Sequence, residues 1–111
     1  MPVWTAKPLE AEPEIDLSEW RVMMIVPDGT FHFVGRNAAT YSGRVSSPIH
    51  EFYANTSVGR TRTGRLYRLH GNSGFAGVAD YVWTVWCQRN DVKSYVDMTE
   101  FFEPEVPHDD A

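Results

Sequence analysis

The chain has 111 residues, enough for one domain with its own core. Its hydrophobic residues (42%) and aromatics (14%) exclude an intrinsically disordered chain, and its single cysteine, Cys87, excludes an intrachain disulfide. A net charge of −5 argues against nonspecific affinity for DNA, which rests on neutralising phosphates.

Residues 1–16, MPVWTAKPLEAEPEID, hold three prolines and an acid at every second position from Glu10 to Asp16. They show no helical or strand period, so they predict an extended or loosely docked acidic arm, with Trp4 packing it back on the body. The basic start and long apolar stretch of a signal peptide are missing. The longest aliphatic run, VMMIV at 22–26, is too short to cross a bilayer, and a soluble cytoplasmic protein is expected.

WRVMMIV (20–26) and FHFVGR (31–36) flank Pro27-Asp28-Gly29, strong turn chemistry, and read as a hairpin. Trp20, Val22, Met24 and Val26 fall on one face, Met23 and Ile25 on the other, which places this strand inside a sheet. Residues 37–47 read as loop and IHEFYA (49–54) as a third strand. SVGRTRTGRLYRLHG (57–71) reads as a second hairpin turning near Thr63-Gly64. Asn72 or Ser73 is placed to cap a helix over 76–90. There Val78, Val82, Val85 and Trp86 recur at helical spacing, widened by Ala79 and Trp83, with Asp80, Thr84 and Gln88 as a narrow polar strip. VKSYVDM (92–98) returns as a strand.

The predicted fold is α+β: an antiparallel sheet of about five strands with one main helix packed on a face and extended acidic termini. The predicted organisation is an arm (1–16), a single domain (17–102) and an acidic, Pro-interrupted tail (103–111).

Charge is unevenly distributed. Residues 1–19 hold one Lys against five acids, 20–70 hold seven Arg against two acids, and 71–111 hold two basic residues against eight acids. The basic density peaks in GRTRTGRLYRLHG (59–71), with Arg60, Arg62, Arg65 and Arg68 and no acid. Strand alternation splits these arginines between faces: Leu66, Arg68 and His70 on one, Arg65, Tyr67 and Leu69 on the other. Two readings stand side by side, a solvated hairpin face paired with the acidic termini and a site for an external anion or protein. Arg60, Arg62, Arg65, Tyr67 and Arg68 are the candidate partner-binding residues, since Arg and Tyr are enriched among interface hot spots.

Other chemistry finds little support. His32, His50, His70 and His108 lack metal-ligand spacing, although strands can bring the first three together. Cys87 lies among Trp83, Val85 and Trp86, the setting of an inert buried thiol. GNSGFAG (71–77) is Gly-rich before a helix but lacks the lysine of a phosphate loop. No catalytic residue, metal or cofactor is predicted.

GRVSSPI (43–49), TRTGRLYRL (61–69) and YVWTVWC (81–87) resemble segments of small proteins of proteobacteria and their prophages. Those proteins share a Thr-Arg-Ser/Thr-Gly-Arg stretch followed by Tyr-Val-Trp and Trp-Cys on one helix. The likeness runs from Gly43 to Asn90. It implies no catalytic or binding residue; it implies an interaction protein that acts on a host machine.

The expected function is therefore a small, non-enzymatic protein-binding module, a prophage-type inhibitor or modulator of a host protein complex such as a defence nuclease. The alternative is an RNA- or single-strand-DNA-binding or processing domain built on the arginine hairpin with His50 or His70.

Overall fold

In EIDLSEWRVMMIV the inward residues change phase. Ile15 and Leu17 are buried at odd positions, then Trp20 and Val22 at even ones. A bulge supplies the missing step: Glu19 takes a φ of 47°, and the register against the neighbouring strand shifts between Ser18 and Arg21. The whole segment is therefore one strand, β1 (Glu14–Val26), and the side chains on either side of the bulge reach the same core.

The structure, a computed structural model, describes residues 12–103. The predicted docking of Trp4 and the tail after Glu103 lie outside them. Glu14–Asp16, read from the sequence as the end of an acidic arm, are the first rungs of β1.

After β1 come β2 (Phe31–Asn37), β3 (Gly43–Val45), β4 (Ile49–Tyr53), β5 (Val58–Thr61), β6 (Leu66–His70), helix α1 (Gly77–Arg89) and β7 (Ser94–Asp97), then a 3₁₀ turn at Thr99–Phe101. The β1–β2 turn uses Gly29 at φ +78°, its N–H donating to the Ile25 carbonyl at 2.7 Å.

The antiparallel five-strand sheet predicted from sequence is corrected to a seven-stranded mixed sheet, ordered β3-β2-β1-β6-β5-β4, with β7 also on β1. Two features escaped the sequence reading. One is β3, three residues inside a stretch of loop-like composition. The other is the parallel pairing of β1 with β6, from Glu14↔Leu66 to Ser18↔His70. Turn signals report only strands adjacent in sequence, and those pair antiparallel; a parallel partner arrives through a long crossover and leaves no local mark.

β1 is central, as its two apolar faces require. Its first half lies between β2 and β6, its second between β2 and β7. The sheet also curls. Phe52 of β4 packs 6.2 Å from Phe33 of β2, although three strands separate them in the sheet. Inside the curl Ile15, Leu17, Trp20, Val22, Phe33, Tyr67 and Leu69 form one core, closed at its mouth by Phe31 and Phe102. Gly59 sits where the Phe33 ring lies; a Cβ there would stand 2.3 Å from it.

On the outer face α1 packs Ala79, Trp83 and Cys87 against Met23, Ile25 and Val34. Gly43 lets the helix approach β3, since a Cβ would come within 2.4 Å of the Val78 carbonyl oxygen. Trp83 stacks on Trp86 at 5.5 Å and meets Tyr95 edge-on at 5.1 Å. Two details of the predicted helix change. Its N-cap is Ala76, with no side-chain cap, and Ser73 donates instead to the Glu103 carboxylate. Val78, assigned to the buried stripe, is exposed.

Candidate protein-binding surface

The four arginines of the β5–β6 hairpin do not form one basic face. Arg65 is buried and its Nε–H donates to the Glu12 carbonyl at 2.8 Å. Beside it the Leu66 N–H donates to the Pro13 carbonyl at 3.0 Å. Arg68 holds the Glu14 carboxylate at 2.6 Å, and His70 meets Asp16 at 2.7 Å, both across the parallel β1–β6 ladder. Arg60 pairs with Glu51 of β4. Tyr67 is buried, and its hydroxyl accepts from the Arg44 Nε–H at 3.1 Å, while Arg44 also reaches Glu12 at 3.4 Å. Arg62 is exposed and makes no side-chain hydrogen bond or ion pair among the described residues.

The charge asymmetry of the sequence thus meets itself inside the molecule. Glu12, Glu14 and Asp16 lie against Arg44, Arg65, Arg68 and His70. In a parallel pair whose partners are 54 residues apart, these contacts select the register. Of the five candidate residues, Arg65 and Tyr67 are interior, Arg60 and Arg68 are half-exposed and paired, and Arg62 faces solvent.

A different surface gathers exposed apolar groups. On α1, Val78 (41% exposed) and Tyr81 (62%) stand three residues apart on one outward side, and Phe75 (63%) is open to solvent just before the helix. Tyr41 (69% exposed) lies two residues before Gly43, the point where β3 touches Val78. Two arginines border these rings. The Arg21 guanidinium lies 5.4 Å from the centroid of Phe75, and that of Arg36 lies 5.8 Å from the centroid of Tyr41. Each is also held by an acid, Arg21 by Asp80 at 3.4 Å and Arg36 by Glu19. Large aromatics held open to water with fixed arginines beside them match the residue types of interface hot spots.

The sequence reading missed this surface. Phe75 and Tyr81 carried a usable signal, since neither fits the buried stripe of α1. Tyr41 and the two arginines had none, because loops and strands remote in sequence bring them there.

Of the remaining candidate groups, His32 and Cys87 are buried and His50 is exposed. His32 is buried; its Nδ1–H donates to the Ser46 carbonyl at 2.8 Å and its Nε2 accepts from Thr30 Oγ1 at 3.1 Å. Burial holds its pKa below the ordinary value, opposed by the Ser46 hydrogen bond and aided by the nearby Arg62 charge. Burial also pushes the Cys87 thiol up to about 11, which keeps it protonated and unreactive. A cleft of about 400 Å³ opens beside Cys87 between the end of α1 and Tyr95. No group of three His, Cys, Asp or Glu among the described residues is arranged to hold a metal ion, and no described helix is long and apolar enough to cross a membrane.

Compared with family models, curated proteins and solved structures, the chain matches none of them.

Proposed function

We propose that the protein is a non-enzymatic protein-binding module and that its contact face is the exposed aromatic surface at the start of α1. The observation that carries this reading is the set Tyr41, Phe75, Val78 and Tyr81, open to solvent and bordered by Arg21 and Arg36. Burying such rings against a partner supplies affinity, and the two guanidinium groups supply direction. The resemblance to prophage proteins makes a host protein complex, such as a defence nuclease, the proposed class of partner, blocked by steric occupation.

The hairpin arginines have a smaller part in this reading, because three of the four are committed to internal partners. The test compares capture of protein from a bacterial lysate, treated with nuclease, by the native chain, by Phe75→Ser/Tyr81→Ser and by Arg60→Glu/Arg62→Glu. Loss of a captured protein in the first variant alone is the expected result. Capture that survives it, or that the arginine reversal abolishes instead, moves the contact to the hairpin. Recovery of nucleic acid from a parallel lysate left without nuclease, lost as salt rises, supports the RNA- or single-strand-DNA-binding alternative.

A further inference from the structure

The outer edge of β7 carries a pattern that matches itself. The Met98 N–H donates to the Val22 carbonyl at 2.8 Å, and the ladder continues from there as Met23↔Asp97, Met24↔Val96 and Ile25↔Tyr95. In an antiparallel ladder, backbone groups alternate between the two sides of a strand. Val96 and Ser94 therefore turn theirs toward β1, while Tyr95 and Asp97 turn theirs to the open edge. All four residues of β7 are exposed, and no strand among the described residues pairs with that side.

We propose that this edge pairs with the same edge of a second copy, antiparallel, about a twofold axis through Tyr95. In that register Tyr95 exchanges both backbone hydrogen bonds with its own counterpart, and Lys93 stands opposite Asp97 of the second copy, twice by symmetry. The residues alternate so that Lys93, Tyr95 and Asp97 share a face, the one on which Tyr95 meets Trp83. Shifting the pairing by two residues in either direction sets Tyr95 against a charge and takes both Lys93 and Asp97 away from their opposites. Opposite charges facing across strands favour a pairing and like charges disfavour it, so the sequence at this edge selects itself.

The groups needed are available. Lys93 now holds Asp91 at 2.8 Å with both side chains more than four-fifths exposed, an ion pair that exchanges at little cost. Asp97 uses only Oδ1 for its two bonds to Thr99, leaving Oδ2 for Lys93 of the second copy. An edge four residues long buries little area, so the dimer is weak and reversible, in about the micromolar range or weaker. The aromatic surface at the start of α1 takes no part in it.

Sedimentation of the full chain over a concentration series tests the pairing, together with Lys93→Glu and the double exchange Lys93→Glu/Asp97→Lys. The expected result is a concentration-dependent dimer, weakened roughly tenfold by Lys93→Glu, which sets two acids face to face, and recovered by the exchange. Because Asp97 also braces Thr99, a second measurement avoids it. Cys introduced at Tyr95 places two Cα atoms about 5.5 Å apart across the axis, within disulfide reach, whereas Cys at Val96 is set beyond about 7 Å. Mild oxidation should couple the first variant and not the second. A chain monomeric to about 1 mM overturns the pairing and leaves the edge to an extended segment of another protein. A dimer indifferent to Lys93→Glu, with no disulfide at position 95, overturns it as well.

Discussion

Replacing the hairpin arginines one at a time by methionine should separate architecture from surface. Methionine keeps most of the aliphatic stem and removes the guanidinium, so the loss reports the polar contacts. Arg65 is 9% exposed, and its Nε–H holds the Glu12 carbonyl at 2.8 Å. A hydrogen bond from a charged donor contributes about 1.5–3 kcal/mol, and removing the donor leaves an acceptor in a poorly solvated place. For a domain of this size 1 kcal/mol corresponds to roughly 4 °C in melting temperature, so Arg65→Met should lower it by about 6–12 °C. Arg68→Met and Arg60→Met break ion pairs whose partners are each about two-fifths to one-half exposed. Water screens such pairs, and each loss should stay below about 1 kcal/mol. Arg62→Met should shift stability by no more than about 0.5 kcal/mol. Thermal and urea melts followed by circular dichroism measure the series. An Arg62→Met loss as large as that of Arg65→Met, or a neutral Arg65→Met, would refute the view that the hairpin's charge is structural.

The pH dependence follows from His32. Its folded pKa lies below 6.5, chiefly through burial, so the unfolded imidazole binds its proton first as pH falls. The contribution to stability is complete above that value and is lost below it toward the folded pKa, at no more than about 1.4 kcal/mol per pH unit. Urea midpoints taken between about pH 7.5 and pH 5 should fall, and His32→Gln should flatten the trend. Gly43→Ala drives a Cβ to 2.4 Å from the Val78 carbonyl and should cost about 1–3 kcal/mol, whereas Gly77→Ala meets nothing within 4 Å. Paired urea melts of the two variants measure the contrast. Cys87, with its pKa of about 11, should react with a thiol reagent far more slowly in the native protein than in denaturant.

The sequence is legible where the physics is local. Pro27-Asp28-Gly29 and Thr63-Gly64 mark real turns, the helical spacing of Val82, Trp83 and Trp86 marks α1, and the two-sided apolar run marks a central strand. What escaped depends on distant partners. The bulge at Glu19 breaks the alternation of Ile15, Leu17, Trp20 and Val22, so a continuous strand looks like an arm followed by a strand. The sequence names Arg68 and His70 as basic but not their carboxylate partners, Glu14 and Asp16, which lie on the far side of four intervening strands in the chain. Tyr41 and Arg36 meet only because β2 and β3 fold back on each other.

The parallel ladder of β1 with β6 has a consequence for how the chain matures. Glu14 is joined to Arg68 only after 54 further residues have been made, so the first half of β1 leaves the ribosome well before its parallel partner β6. During that interval β1 can close its hairpin with β2, which is complete by Asn37, but its other margin stays open. Closing so long a loop slows assembly and prolongs the exposure of that margin to neighbouring nascent chains. The acids at Glu14 and Asp16, spaced along the margin that waits, repel the same margin of a neighbouring chain until Arg68 arrives to pair with Glu14 and the His70 ring to hydrogen-bond Asp16.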